Sequence, residues 1–431
     1  MAKNANNKVS IWQSLHNAWK VQDIRKKLIY TFLMLILFRL VGVIPAPGVD
    51  YVRVKSAISG SNLPLLDLVN MMTGSNFSNM TIMAMGITPY INSSIIMQLL
   101  TIAIPALERL SKSGPEGQKK IASITRYVTI VLAVIQAIGL VYSLGYIKSG
   151  WFNTVLVGVS MAAGTALAMW IGERITKNGL GNGVSLLIFA GIISNLFNGF
   201  TSLIANAVSA TSLTPWLTLL AVLLFALVMI VVVTFVDMGV RRIQVQYAKR
   251  VTGRKMYGGQ SSILPLKVCS VGVMPLIFAY SFMAFPSTLI QLFGGSESGL
   301  GLWWSRYMNY YSPLYMIVTA LLIIAFTYFY TSISFQPDEM AKNIQQQGGV
   351  IPHVRPGKPT ADFLARTNNR LTLFAALFLA VLATLPNLFT VGLQTSVPFA
   401  ASSLLIAVSV VLETKRQLDD LLVSRNYDTL T

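Results

Sequence analysis

Long apolar segments recur along the whole chain of 431 residues, and they limit it to a fold that crosses a membrane. A helix needs about 20 mostly apolar residues to span the hydrocarbon core of a bilayer. Only 11% of the residues are charged, against about 25% in soluble proteins. The sequence therefore predicts an all-α, polytopic membrane protein. Its ten predicted transmembrane helices cover residues 28–44, 79–104, 121–144, 152–171, 184–200, 215–236, 264–293, 313–335, 371–388 and 397–412.

The distribution of positive charge predicts the orientation of these spans. If the N-terminus is cytoplasmic, all but five of the 33 lysines and arginines fall on the cytoplasmic side. The exceptions are Arg39 within the first span and Arg53, Lys55, Lys148 and Arg306 on the outside. Because cytoplasmic loops of membrane proteins are enriched in Lys and Arg, both termini are predicted to be cytoplasmic. Topology thus explains most of the net charge of +18 without a nucleic-acid partner.

The second predicted span is unusual because it contains helix breakers and several polar side chains. Pro89 removes a backbone donor, so we expect the helix to bend or weaken near Gly86 and Pro89. Ile87 and Ile91 are four residues apart and share one helix face. This pattern fits either a kinked packing helix or a helix that lines a path. The preceding apolar run, 63–73, is too short to span and predicts a re-entrant element buried in protein.

The ends of the chain and two long loops are predicted to lie in the cytoplasm. Residues 1–27 form a basic, amphipathic segment, and residues 413–431 form a polar tail. The loops 237–262 and 336–369 are longer than is needed to join neighbouring helices, and both are basic. They are either solvated loops or docking surfaces for a large partner, with Arg241, Arg242 and Arg355 as anchors.

The sequence lacks the motifs of common enzyme classes. Gly357-Lys358-Pro359 is without the Ser/Thr that completes a phosphate-binding loop, and no His or Cys cluster has metal-site spacing. Cys269 is the single cysteine, so no disulfide can form within the chain. We expect no enzymatic activity, no metal, no cofactor and no cleaved signal peptide. The spans contain almost no carboxylates, which argues against an ion-coupled solute transporter.

Five sequence runs, in order along the chain, resemble those of the SecY/Sec61-alpha family of protein-conducting channels. They are IMAMGITPYINSSIIMQLLT at Ile82–Thr101, GERITKNGLGNGVSLLIFAGI at Gly172–Ile192, RRIQVQYAKR at Arg241–Arg250, LPLKV at Leu264–Val268 and GGVIPHVRPGKPTA at Gly348–Ala361. Each run alone is a weak signal, whereas the ordered set is specific. The chain differs from the family at Gln244, where proline is common, and at the Met72–Ser75 end of the short apolar run.

The resemblance implies a pore between two pseudo-symmetric halves, residues 28–213 and 214–412, each of five helices. The family's ring of apolar pore residues corresponds to Ile87, Ile91, Val184, Ile188, Ile277 and Ile406. The short apolar run corresponds to the family's plug helix, with the residues Leu63, Leu65, Leu66, Asp67, Leu68, Val69, Asn70, Met71, Met72 and Thr73. Spacing alone favours ordinary packing for each of these residues, and only the resemblance favours the pore ring.

The resemblance also implies a lateral gate and a set of partners. The second, third, seventh and eighth spans would form the gate, with bends at Gly86, Pro89 and Pro275. Residues implied to bind a SecA ATPase or a ribosome are Arg241, Arg242, Lys249, Arg250, Arg355 and Lys358. Other implied partners are SecE-like and SecG-like small membrane subunits, signal sequences, nascent polypeptides and membrane lipid, with no small-molecule substrate. The implied location is the bacterial plasma membrane.

The function implied is a passive channel for unfolded secretory polypeptides that also releases membrane-protein helices into lipid. Three alternatives stay open at this point. The chain could be an accessory member of the family with a dedicated motor, a transporter for a small solute, or a membrane scaffold that docks partners on its basic loops.

Overall fold

The computed structural model describes residues 19–49, 76, 79–144, 151–209, 214–247, 250–252, 255–257, 261–270, 272, 274–293, 299–308, 312–393 and 401–428. The chain divides into two compact units. The first comprises Met1–Pro215, Ala284–Asn309 and Ile406–Thr431, and the second comprises Trp216–Met283 and Tyr310–Leu405.

The described residues are mostly helical, as the hydropathy pattern predicts. The helices are α1 (Gln22–Val41), α2 (Thr88–Ala103), α3 (Pro105–Lys112), α4 (Pro115–Leu144), α5 (Trp151–Asn178), α6 (Gly183–Ser209), α7 (Thr214–Asp237), α8 (Met274–Phe293), α9 (Gly299–Tyr307), α10 (Pro313–Ser334), α11 (Pro337–Gln346), α12 (Lys358–Leu393) and α13 (Ala401–Asp428). The strands are β1 (Val240–Tyr247), β2 (Arg250–Thr252), β3 (Lys255–Tyr257), β4 (Ser261–Lys267) and β5 (Gly349–Val350).

Six helical stretches in the described part of the chain are long and apolar enough to cross a membrane. They are Pro115–Gly139, Trp151–Asn178, Gly183–Ser209, Thr214–Asp237, Pro313–Gln346 and Lys358–Pro386. Helices α2 and α3 meet the same test together, but they are bent by 102° where they join at Ile104. A multi-pass membrane protein is therefore the coarse architecture that these helices support.

Three segments differ from the sequence-based expectation. Residues 79–87 form turns rather than helix, so the second predicted span begins as a helix only at Thr88. Residues 264–267, predicted to open the seventh span, belong to strand β4, and the helix starts at Met274. The polar tail is helical as far as Asp428 because it continues α13 without a break.

Helix α1 is tied to the rest of the first unit at both of its ends. At its midpoint, Thr31 Oγ1 accepts a hydrogen bond from the Leu180 backbone N–H at 2.9 Å. Beyond its end, the backbone N–H of Ile82 donates to the Ile44 carbonyl at 2.9 Å. A small apolar cluster of Ile24, Leu180 and Leu418 also joins α1 to the α5–α6 turn and to the extended part of α13. These contacts give α1 a fixed position against α5 and α6.

The second unit carries a small sheet outside its membrane-crossing helices. Strand β1 pairs antiparallel with both β4 and β5, which gives the order β4-β1-β5. One face of this sheet packs against α11 and α12, and the shared core contains Ile243, Val245, Leu266, Ile344, Ile351 and Leu364. The long loops 237–262 and 336–369 are thus partly folded into one structure.

Candidate functional site

The first two predicted ring residues lie where α2 begins. Ile87 precedes the helix as its N-cap residue, and Ile91 follows one turn later with its N–H donating to the Ile87 carbonyl at 3.1 Å. Both side chains are buried. Gly86 has φ of +52°, a conformation that costs glycine little, so it can turn the chain sharply into the helix. Two aliphatic side chains are therefore stacked on one face of this helix start.

The proline at this site does not act as the sequence suggested. Pro89 lies in the first turn of α2, where the backbone N–H would have no helical partner in any case. It therefore favours the start of the helix, and the break in the predicted span comes before it. Pro275 occupies the same kind of position at the start of α8. Pro286, within α8, is a proline inside a helix that the sequence reading did not select as a bend.

Val184 and Ile188 lie in the first turns of α6, which is firmly capped. The Asn182 side-chain oxygen accepts hydrogen bonds from the backbone N–H groups of Val184 at 3.1 Å and Ser185 at 3.4 Å. Ile188 is buried, and Val184 is partly exposed. A β-carbon on Gly183 would lie 2.7 Å from the Gly172 carbonyl carbon, so glycine permits α5 and α6 to approach closely here. This contact holds the start of α6 against α5.

Ile277 and Ile406 lie on different units. Ile277 is buried in the first turns of α8 in the second unit, beside Phe278, which stacks on Tyr330 of α10 with a centroid distance of 4.5 Å. Ile406 is buried in α13, in the first unit. Each of the six ring positions thus carries an aliphatic side chain near a helix start. The predicted plug, 63–73, lies outside the described residues.

The predicted docking arginines are exposed on the small sheet and the segment that follows it. Arg241 and Arg242 lie on β1, opposite Leu266 and Pro265 of β4. Arg355 is also exposed, and its carbonyl accepts a hydrogen bond from Thr360 Oγ1 at 2.8 Å. Ile351 and Leu364 share a hydrophobic core with Ile243 and Val245 of β1. The segments that carry these arginines therefore pack together around one core.

The remaining predicted docking residues are only partly described. Lys358 is exposed at the start of α12. Arg250 is the first residue of β2. Lys249 lies outside the described residues. In the part of the chain that the structure describes, no group of His, Cys, Asp and Glu residues could hold a metal ion.

Three polar interactions were not anticipated from the sequence. The Arg39 guanidinium donates to the backbone carbonyl of Ala190 in α6. Arg126 of α4 forms an ion pair with Glu173 of α5 at 2.7 Å. Thr31 Oγ1 accepts the hydrogen bond from the Leu180 N–H that is described above. Their partners are distant in sequence, so spacing could not reveal them, whereas the alternation in Arg241–Tyr247 could have indicated the strand.

A small cleft in the second unit adjoins the start of α8. It is lined by Val268, Cys269, Ser270, Gly272, Thr327, Thr331, Thr372, Ala375 and Leu379. Cys269 lies in the connection between β4 and α8, and its burial, with a contribution from Asp237, raises the pKa of the thiol to about 12. Burial disfavours the thiolate, which is the reactive form of cysteine, so we expect this thiol to react slowly with electrophiles.

Comparison with known proteins places the chain in a family. Residues 81–415 match the family model of SecY. The protein translocase subunit SecY of Streptomyces scabiei is 41% identical over 433 residues, covering 95% of this chain and 98% of that protein. The protein translocase subunit SecY of Halalkalibacterium halodurans is 40% identical, covering 97% of this chain and 99% of that protein.

Solved structures share the fold of this chain. One, described as the structure of a protein conducting channel, superposes with a TM-score of 0.69 at 20% identity and covers 92% of each chain. Another, Sec61 in the canine ribosome-channel complex from the endoplasmic reticulum, gives a TM-score of 0.64 at 18% identity and covers 92% of each chain. By its sequence over nearly the full length, and in agreement with its fold, the chain belongs to the SecY family of protein translocase subunits.

Proposed function

We propose that the chain forms a passive, gated channel through which unfolded polypeptides cross the bacterial plasma membrane. The observation that carries this proposal is the similarity, at about 40% identity over nearly the full length, to curated protein translocase subunits. The energy for transport comes from a cytoplasmic motor or from translation, since the sequence contains no nucleotide-binding motif.

The channel has ten transmembrane helices in two halves, residues 28–213 and 214–412, with both termini in the cytoplasm. The distribution of lysine and arginine supports this orientation. Residues 1–27 lie on the cytoplasmic membrane surface, and residues 413–431 form the cytoplasmic tail. Residues 63–73 act as the plug, as the resemblance to the family implies. This apolar run is too short to span, and it lies between the first and second spans.

The six ring residues form the constriction of the pore. An aliphatic ring resists ions because water leaves a narrow apolar passage, and its side chains can separate around a polypeptide. Such a ring makes no hydrogen bonds of its own, so substrates of very different sequence can pass. The burial of Ile87, Ile91 and Ile188 at the starts of α2 and α6 supports this role.

The helices next to the ring form the lateral gate through which signal sequences and membrane-protein helices reach the lipid. The glycine turn at Gly86 and the helix starts at Pro89 and Pro275 are the places where the gate helices move. At these positions a helix begins after a non-helical segment, and such element ends can absorb backbone rotation without breaking helical hydrogen bonds.

The basic surface formed by Arg241, Arg242 and Arg355 docks the cytoplasmic partner. Guanidinium groups suit acidic or phosphate-bearing surfaces, which both a SecA ATPase and a ribosome present. Lys249, Arg250 and Lys358 extend the same surface. The similarity to Sec61 in a ribosome-channel complex supports the ribosome as a partner. Small membrane subunits, SecE-like and SecG-like, pack against apolar faces of the helices.

A pair of substitutions on one helix tests the pore assignment. Ile188→Ser places a hydroxyl in the proposed ring, whereas Ile193→Ser changes a side chain that is 46% exposed on the same helix. We expect export of a substrate with a defective signal sequence to increase in Ile188→Ser and to stay unchanged in Ile193→Ser. Equal selectivity in the two variants would contradict the assignment, and would favour a scaffold that does not conduct.

A further inference from the structure

Arg39 is a charged residue within the first predicted span, and the structure gives it a specific partner. Its guanidinium donates a hydrogen bond to the backbone carbonyl of Ala190, which lies 151 residues later in α6. Both residues belong to the first unit. A charged side chain within a bilayer is costly and is expected to face protein or water. Here the cost is offset by a charge-assisted hydrogen bond to the backbone of another helix.

The neighbours of Arg39 on α1 show that it lies on the protein-facing side of the helix. Leu37 and Leu40 are exposed, as expected for side chains in contact with lipid, whereas Phe38 is only 3% exposed. Arg39 itself is partly buried. The side chain therefore reaches inward to α6 instead of extending along α1 to the membrane surface.

The backbone of α6 is accessible at the point of contact. Ala190 has only a methyl group and Gly191 has no side chain, so a planar guanidinium can approach the carbonyl oxygen. Each residue advances about 100° around a helix, which places Ala190 about 200° from Ile188. The arginine therefore holds the face of α6 that lies opposite the proposed ring residue.

We propose that Arg39 is a positioning residue that fixes the rotation and depth of α6 and so keeps Ile188 in the closed ring. This inference rests on the proposed channel function. Two other hydrogen bonds lie near the start of α6. The Asn182 side chain caps the helix, and Thr31 Oγ1 of α1 accepts a hydrogen bond at 2.9 Å from the N–H of Leu180, which precedes the helix. Neither reaches as far along α6 as Ala190. Without Arg39, α6 would lose this hydrogen bond to α1 beyond its first turn, and the ring could open more readily.

Cysteine labelling in inverted membrane vesicles tests this role. The reporter is Ile188→Cys in a Cys269→Ser background, treated with a membrane-impermeant maleimide and normalised to the amount of channel. Arg39→Leu removes every donor, Arg39→Lys keeps a long cationic donor, and Arg306→Gln removes an exposed positive charge from α9 as the matched control.

We expect Arg39→Leu to increase the labelling rate about tenfold, the effect of losing one hydrogen bond to a charged group. Arg39→Lys should stay within about twofold of the parent, since it still donates a charge-assisted hydrogen bond. Arg306→Gln should have no effect. Arg39→Met, which likewise has no donor, replaces the leucine variant if the latter does not accumulate in the membrane.

Two results would overturn the inference, and they are distinguishable. Labelling of the leucine or methionine variant at the parental rate would show that Arg39 does not position α6, while the channel function stands. In the parent, a stalled secretory chain should protect Ile188→Cys from the maleimide. Absence of that protection would refute the pore assignment of Ile188 itself, and the positioning role with it.

Discussion

Gly164 in α5 lies close to the backbone of the segment that leads into α2, and its replacement by alanine gives a sharp prediction. A β-carbon at this position would lie 2.7 Å from the carbonyl carbon of Ile82 and closer still to the carbonyl oxygen. Carbon atoms in contact prefer a separation of about 3.5–4.0 Å, so the backbone at Ile82 must move by roughly 1 Å. Ile82 belongs to the segment that leads into Gly86 and Ile87, so the displacement acts directly on the proposed ring.

The matched control lies on the same helix. A β-carbon on Gly172 would meet its nearest neighbours, Leu187 and Val184, at 3.4 Å, which is an ordinary contact. Glycine in a helix interior costs about 1 kcal/mol relative to alanine, so Gly172→Ala should be neutral or stabilising. Overpacking against a rigid neighbour costs typically about 1–3 kcal/mol, so Gly164→Ala should be destabilising in spite of the same gain in helix propensity.

The assay is thermal unfolding of the purified full chain together with export of a substrate that has a defective signal sequence. We expect Gly164→Ala to unfold at a lower temperature than the parent and to export the defective substrate more readily. Gly172→Ala should match or exceed the parent in stability and keep its selectivity. Equal melting temperatures for the two variants would refute the argument that backbone contact at Ile82 fixes α5 against the entrance to α2.

Three further predictions concern polar groups. Thr31→Ala should destabilise the protein by about 1–3 kcal/mol in thermal unfolding, because it leaves the buried Leu180 N–H without its acceptor, whereas Thr31→Ser should not; equal loss in both variants would contradict this. With a pKa of about 12, Cys269 is thiolate in only about one molecule in 10,000 at pH 8. Its alkylation by N-ethylmaleimide should therefore be slow, and the rate should increase about tenfold per pH unit. Rapid alkylation at pH 7 would contradict the burial of this thiol. Arg126→Gln should change stability by no more than about 1 kcal/mol, since its ion pair with Glu173 is partly solvent-exposed, and a larger loss would show that the pair is structural.

Hydropathy predicted the helical, membrane-spanning architecture because apolar length is a direct physical requirement of the bilayer. It failed where an apolar run is not a helix. Residues 264–267 are apolar enough to extend the span, but they belong to strand β4, whose partner β1 shows the alternation of Ile243 and Val245. The start of α2 was misread for a related reason, since a proline can either kink a helix or begin one, and the sequence does not distinguish these.

The site was predictable in part. The four-residue spacing of Ile87 and Ile91 indicates a shared face, but packing and pore lining require the same spacing, and only the family resemblance selects between them. The partner of Arg39 could not be predicted at all. A contact across 151 residues depends on how α1, α5 and α6 pack, which no local pattern encodes. The proposed plug, 63–73, stays a prediction because it lies outside the described residues.

The most direct test of the channel function is a crosslink between the proposed ring and a polypeptide in transit. Ile91→Cys is introduced in a Cys269→Ser background, and a secretory chain with one cysteine is stalled midway and oxidised. We predict a disulfide between Ile91→Cys and the secretory chain that forms only when its signal sequence is functional. Absence of this crosslink at Ile91→Cys and likewise at Ile406→Cys, with translocation of the chain confirmed, would show that these residues are core packing and not the wall of a pore.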